Sequence, residues 1–269
     1  MISFANAKIN LGLSITEKRP DGYHNIETIF YPVQLYDVLE YNEAPEFSFE
    51  AYGIDIPDGG DNLCTKAYDL LKKDFPNIPT LSIKLLKNIP VGAGLGGGSS
   101  DAAFVLKGLN VLRKLNLTSE QLKSYANRLG ADCAFFIENK PLFAEGIGTK
   151  FSEVKVDLSQ YFIVIVKPEI HISTAEAYSN ITPQIPKVDL KRAIQLPIQE
   201  WKYYISNDFE IGIFDKHPII QQVKNLLYEK GALYASMSGS GSAVYGIFEE
   251  KINLDDLSHL GKIYYPTEI

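Results

Sequence analysis

Across residues 5–16 apolar and polar positions alternate almost strictly. Ala5, Ala7, Ile9, Leu11, Leu13 and Ile15 share one face, and Asn6, Lys8, Asn10, Ser14 and Thr16 the other. A period of two predicts a strand with one buried face. Phe47, Phe49 and Ala51 alternate likewise, residues 29–41 form an apolar and aromatic run broken by Pro32, and 81–86 predict a further short strand. With turn signals at Arg19-Pro-Asp-Gly22 and Asp58-Gly-Gly-Asp61, the first third reads as a sheet of several strands, and 62–73 as a helix. Further on, Ser99 or Ser100 can cap a helix lined on one side by Ala102, Leu106, Leu109 and Leu112. Thr118 and Gln121 make a capping box for a second helix, which Gly130 ends. A buried strand at 161–166, a helix at 218–230 stopped by Gly231, and a strand at 243–248 after Met237-Ser-Gly-Ser-Gly-Ser242 complete the pattern. No internal repeat or low-complexity linker occurs, and the change of pattern near Lys155 divides the chain into domains at 1–155 and 156–269.

Composition narrows the class. The chain has 269 residues, 45% hydrophobic and 22% charged, as expected of a globular protein with one large or two modest domains. A net charge of −7 supplies no basic field for nucleic acid. Cys64 and Cys133 have no His or Cys at ligand spacing, so they read as reduced structural cysteines rather than a disulfide or zinc site. The first residues show no basic segment followed by an apolar core, and no apolar run approaches the roughly 20 residues that span a bilayer. The cytoplasm is the expected location.

The stretch Pro90-Val-Gly-Ala-Gly-Leu-Gly-Gly-Gly-Ser-Ser-Asp-Ala-Ala103 carries the chemistry. A backbone stripped of side chains can curl around a phosphate, and the helix that follows offers its positive end. The dinucleotide-binding reading is poor, because Pro90 intervenes and the region beyond the loop is helical rather than a strand ending in an acid. No Gly-Lys-Ser/Thr follows the glycines, and the His-Arg-Asp and Asp-Phe-Gly landmarks of protein kinases are absent. An idle surface loop has no reason to suffer the ordering entropy of so many glycines. The loop reads as a nucleotide-triphosphate cradle.

Two polar residues elsewhere stay open on their own evidence. Lys8 is either a solvated lysine on an exposed strand face or, with Asn6 and Asn10 beside it, part of a polar cleft wall. Asp132 is either the N-cap of a short helix or a carboxylate that accepts a proton, and the two roles are compatible.

The glycine stretch resembles the phosphate-binding motif of the GHMP kinases. Ala7-Lys-Ile-Asn-Leu11, Arg19-Pro-Asp-Gly-Tyr-His24, Leu129-Gly-Ala-Asp-Cys-Ala-Phe-Phe136 and Met237-Ser-Gly-Ser-Gly241 extend the likeness over nearly the whole chain. The resemblance implies an α+β fold of two domains: an N-terminal mixed sheet with helices and a C-terminal ferredoxin-like α/β sandwich, with the active site in the cleft between them. It implies ATP, used with Mg²⁺, and a small-molecule acceptor, the 2-position hydroxyl of a cytidine diphosphate-linked methylerythritol of the non-mevalonate isoprenoid route. Lys8 and Asp132 resemble the catalytic pair, with Asp132 as base and Lys8 as electrostatic partner. Pro90, Val91, Gly92, Ala93, Gly94, Leu95, Gly96, Gly97, Gly98, Ser99 and Ser100 would hold the phosphates, with Asn62 and Lys87 near the ATP base. Asn10, Tyr23, His24, Thr174 and Tyr178 would meet the substrate, the aromatic residues gripping cytosine. No protein ligand for a metal is assigned. Asp101, Cys133-Ala134 and His171-Ile172 depart from the usual pattern. The rivals are another GHMP kinase, of the homoserine or mevalonate type, and a non-catalytic nucleotide sensor.

Overall fold

The computed structural model describes residues 1–56, 62–179 and 181–266; the turn expected at 58–61 lies outside them. Packing divides the chain into two compact units that interleave along it. The first comprises Met1–Ala7, Leu35–Val91 and Gly96–Lys140, and the second Lys8–Gln34, Gly92–Leu95 and Pro141–Ile269. Strands β1 (Ile2–Lys18) and β2 (His24–Glu43) run through both.

In the first unit β2 pairs antiparallel with β4 (Leu81–Lys87), Val38 opposite Leu86 and Glu43 opposite Leu81. Strand β3 (Ser48–Gly53) pairs parallel with β4, and a parallel pair needs a crossover, here α1 (Leu63–Asp74). The Asn62 side chain caps α1 by accepting from the Cys64 N–H at 2.7 Å. Helices α2 (Gly97–Leu112), α3 (Ser119–Asn127) and α4 (Phe135–Glu138) follow. The capping box at Thr118 and Gln121 is present in both its halves.

In the second unit residues 28–30 of β2 pair with β5 (Leu142–Glu145), which pairs with β6 (Lys150–Glu153). After β7 (Phe162–Lys167) come α5 (Thr174–Tyr178), α6 (Leu190–Ala193), α7 (Trp201–Tyr204), α8 (Phe209–Lys216) and α9 (Pro218–Glu229). Strands β8 (Tyr234–Met237), β9 (Val244–Phe248) and β10 (Lys262–Tyr264) complete a four-stranded antiparallel sheet in the order β10-β7-β9-β8. Numbered within that sheet the order is 4-1-3-2, which is the ferredoxin-like arrangement. Ile220, Val223 and Leu227, spaced to share one face of α9, pack in the same core as Val164, Val166, Ala235 and Val244.

Four expectations are corrected. Strand β1 is buried on both faces, for Asn6, Lys8 and Asn10 are as enclosed as the apolar row beside them. Strand β2, which also pairs with β1, continues through Pro32, a residue that falls between the stretches paired with β5 and with β4. Helix α2 begins at Gly97 with Gly96 as its cap, so Ser99 and Ser100 lie inside the first turn. Ala134, not Asp132, takes the cap position of α4.

Candidate active site

In the second unit the glycine loop is tied to β1 and to the segment after β8. Lys8 is 3% exposed, and its ammonium donates to Asn10 Oδ1 at 2.6 Å and to the Gly94 carbonyl at 3.0 Å. It also lies 4.9 Å from the centre of the Phe30 ring, within range of a cation–π attraction. The Ser238 hydroxyl donates to the same Gly94 carbonyl at 2.8 Å, and the Lys8 backbone N–H to the Leu95 carbonyl at 3.0 Å. Asn10 is held in turn: its Nδ2 donates to Thr28 Oγ1, and the Tyr245 hydroxyl donates to its carbonyl. Asn207 Nδ2 bridges the Met237 and Gly239 carbonyls at 2.8 Å each, fixing the second glycine segment. Three stretches far apart in sequence thus meet around one carbonyl. A lysine this enclosed is not a solvated surface residue, and each acceptor it finds offsets the cost of its burial.

In the first unit α2 opens directly from the loop, its Ser100 N–H bonding back to the Gly96 carbonyl at 2.8 Å. The turn carrying Asp132 packs against that helix start. Cys133 hydrogen-bonds Ser99, and burial pushes the Cys133 thiol up to about 11, with the Asp132 charge adding to the shift. Asp132 itself is half-buried. Behind the same helix turn Lys87 donates to Asp37 and, at 2.9 Å, to Asp101 Oδ2.

A second cluster in the second unit surrounds the turn between β1 and β2. Asp21 accepts from the Tyr23 N–H at 3.1 Å and pairs with Arg19. Tyr23 stands 63% exposed, whereas His24 opens β2 rather than lying on the turn. The His24 ring stacks on Tyr178, centroids 4.7 Å apart, and Tyr178 meets the Phe209 ring edge-on. Burial, and then the charge of Lys18, lower the His24 pKa. Ser173 caps α5 and so sets Thr174 at its first position.

The chain matches the GHMP kinases N terminal domain over residues 62–140 and the GHMP kinases C terminal domain over 198–260. It is 56% identical over 261 residues to the 4-diphosphocytidyl-2-C-methyl-D-erythritol kinase of Bacteroides thetaiotaomicron, covering 95% of each chain. The chain belongs to the 4-diphosphocytidyl-2-C-methyl-D-erythritol kinase family of GHMP kinases. A crystal structure of a 4-(cytidine 5'-diphospho)-2C-methyl-D-erythritol kinase superposes with a TM-score of 0.82 at 29% identity, covering 98% of each chain. The mevalonate kinase of Methanococcus jannaschii shares 15% identity, covering 98% of this chain and 97% of its own, with a TM-score of 0.70, a likeness of fold alone.

Membership of this family makes the chain an ATP-dependent small-molecule kinase, and among the described residues no helix is long and apolar enough to cross a membrane. Within each unit the structure brings together Lys8, Asn10 and Gly94; Ser99 and the Asp132 turn; and His24 with Tyr178. Asn62 serves α1 as its cap, and Lys87 is enclosed between two carboxylates. Thr28, Asn207, Ser238 and Asp37 support the site and were not singled out from sequence. Ser238 lies in the glycine segment at residues 237–241; the other three carry no local signal.

Proposed function

We propose that this chain transfers the γ-phosphoryl group of ATP to the 2-position hydroxyl of 4-diphosphocytidyl-2-C-methyl-D-erythritol. The kinship in sequence supports the substrate, and one geometric observation supports the chemistry. Lys8 and Ser238 both bind the Gly94 carbonyl, so a cation and the glycine loop are held as one rigid element. Residues 90–100 supply backbone N–H groups and the start of α2 to the polyphosphate. Asp132 accepts the proton of the acceptor hydroxyl as its oxygen bonds to the γ-phosphorus and ADP leaves. Lys8 steadies the charge on the moving phosphoryl oxygens; such transfers depend chiefly on placement and electrostatics.

Cytosine is taken by the aromatic cluster, where the His24–Tyr178 stack offers a flat platform and exposed Tyr23 a cover, with Asn10 and Thr174 toward the rest of the substrate. Asn62 and Lys87 stand on the ATP side in this reading, although both already serve the fold. Mg²⁺ supplies charge neutralisation when bound. Mg²⁺ in nucleotide sites commonly keeps waters and substrate phosphates as ligands, and among the described residues no group of three or more His, Cys, Asp or Glu forms a cage. No protein ligand is assigned to the ion. The enzyme works in the cytoplasm in this reading.

ADP release from Mg-ATP with the cytidine substrate tests the proposal. Turnover on homoserine or mevalonate alone points to a different acceptor, and ATP binding with no turnover on any of the three to a nucleotide sensor.

A further inference from the structure

We propose that Asp37, Lys87 and Asp101 form a proton-coupled clamp beneath the first turn of α2, so that a polyphosphate binding at that helix end draws a proton into the trio. The inference rests on the reading of the glycine loop as a phosphate site. It assigns Lys87 a positioning role behind the helix rather than a contact with the nucleotide base.

The geometry is unbalanced in charge. Two carboxylates and one ammonium lie together, with side-chain exposures of 0% for Asp37 and 3% for each of the others. Both oxygens of Asp37 have donors: it takes Lys87 on Oδ2, and the Asn88 and Ile89 N–H groups on Oδ1 at 2.6 and 2.8 Å. Asp101 has a gap, since its Oδ1 is buried with no hydrogen-bond partner among the described residues. A buried anionic oxygen with no donor is costly, and protonation of Asp101 removes the unmatched charge. Burial accordingly pushes Asp101 up to about 7, opposed by Lys87 and reinforced by Asp37. Burial lowers Lys87, but its two carboxylates more than restore it, so it stays cationic.

The trio's place gives that proton a consequence. A methyl group on Gly97 would stand 2.8 Å from Lys87 Nζ, so the ammonium lies directly under the opening turn of α2. With both carboxylates ionised, a net negative charge sits behind the N–H groups that attract phosphate; with one protonated, the trio is neutral. Anion binding at the helix end therefore favours the protonated form. Three buried titratable groups on neighbouring elements are shifted away from neutrality. Burial drives Cys64 of α1 and Tyr41 of β2 far up, and Cys133 beside α4 to about 11. Lys123 and Tyr125 of α3 are turned to Glu138 and Asp74.

Calorimetric titration of the whole enzyme with Mg-ADP at pH 7.5, in buffers of differing ionisation heat, reads the proton directly. Wild type takes up about 0.3–0.5 proton more than Asp101→Asn, and between pH 6.5 and 8.5 its affinity falls about 2–3-fold further per pH unit than the variant's. Asp37→Asn keeps an acceptor for Asn88 and Ile89 and also neutralises the trio, so it loses the same uptake and serves if Asp101→Asn fails to fold. A folded Asp101→Asn or Asp37→Asn enzyme with wild-type uptake overturns the proposal. So does a wild-type enzyme whose uptake does not exceed what the ADP phosphates account for. A wild-type enzyme that binds no ADP overturns instead the phosphate reading beneath it.

Discussion

Gly94 offers the most direct test of how the loop is built. Its φ is +77°, in the left-handed region, and its carbonyl is the acceptor shared by Lys8 and Ser238. An alanine there places its methyl far inside the van der Waals contact distance of the Ser238 carbonyl oxygen, 2.8 Å from that carbonyl's carbon and 3.2 Å from the Gly241 nitrogen. These are backbone atoms and cannot swing aside as a side chain tip can. Gly231, at φ +95° after α9, has nothing within 4 Å of an added methyl among the described residues and isolates the conformational cost. That cost is about 1–2 kcal/mol. Overpacking against a fixed backbone adds roughly 1–3 kcal/mol, so Gly94→Ala should lose about 2–5 kcal/mol against about 1–2 for Gly231→Ala. At roughly 2–4 °C per kcal/mol for a chain of this size class, the two melting temperatures separate clearly. If the loop shifts instead of the whole fold weakening, the loss appears as an ADP affinity lower by about tenfold for each 1.4 kcal/mol that the loop absorbs. Thermal unfolding and ADP titration of both variants measure the two outlets. A Gly94→Ala protein indistinguishable from Gly231→Ala in both refutes the close approach of the loop to the Ser238 carbonyl.

Asp132→Asn should lower turnover by about 10²–10⁴-fold if that carboxylate is the base, with unchanged circular dichroism; wild-type turnover in the folded variant removes the assignment. Thr118→Ala deletes one half of the α3 capping box and should cost about 1 kcal/mol in urea unfolding without altering activity. Asp101 links stability to pH with a definite sign. Its folded pKa, about 7, exceeds the ordinary 3.8, so the folded state holds a proton the unfolded chain has released across that window. Its contribution therefore declines as pH rises from about 4 to about 7 and stays unfavourable above. The melting temperature of wild type minus that of Asp101→Asn should fall from pH 5 to pH 8; a constant difference contradicts the burial of an ionisable Asp101.

Much of the fold was legible because its signals are local. The capping box lies within four residues, the stop at Gly231 is a single position, and the period of β1 is visible by inspection. What failed has a common cause. Alternation shows which residues share a face but not what covers that face, so the polar row Asn6, Lys8 and Asn10 reads equally as a solvated strand face or as a polar cleft wall. It is lined by partners from residues 94, 139 and 238. Helix α2 was expected to start at a serine because serine is the common cap; the left-handed Gly96 turns the chain into the helix without one.

The same distinction governs the candidate site. The glycine loop announces itself, since dense glycine has few uses other than bringing backbone close to something. The groups that fix it do not, since each is an ordinary residue whose meaning depends on a partner far along the chain. Asn207 stands 30 residues from the Met237 carbonyl it holds, and Asp37 stands 50 from Lys87. Asp101 was visible as a departure beside the phosphate helix, but its consequence was not. An aspartate there is neutralised, shared or repulsive according to what lies behind the helix, and only the fold places Lys87 and a second carboxylate together. Substitutions at such positions therefore act in concert. Removing the Lys87 charge strands two carboxylates, whereas removing one carboxylate leaves a balanced pair, so Lys87→Met should be far more damaging than Asp101→Asn although both break the same ion pair.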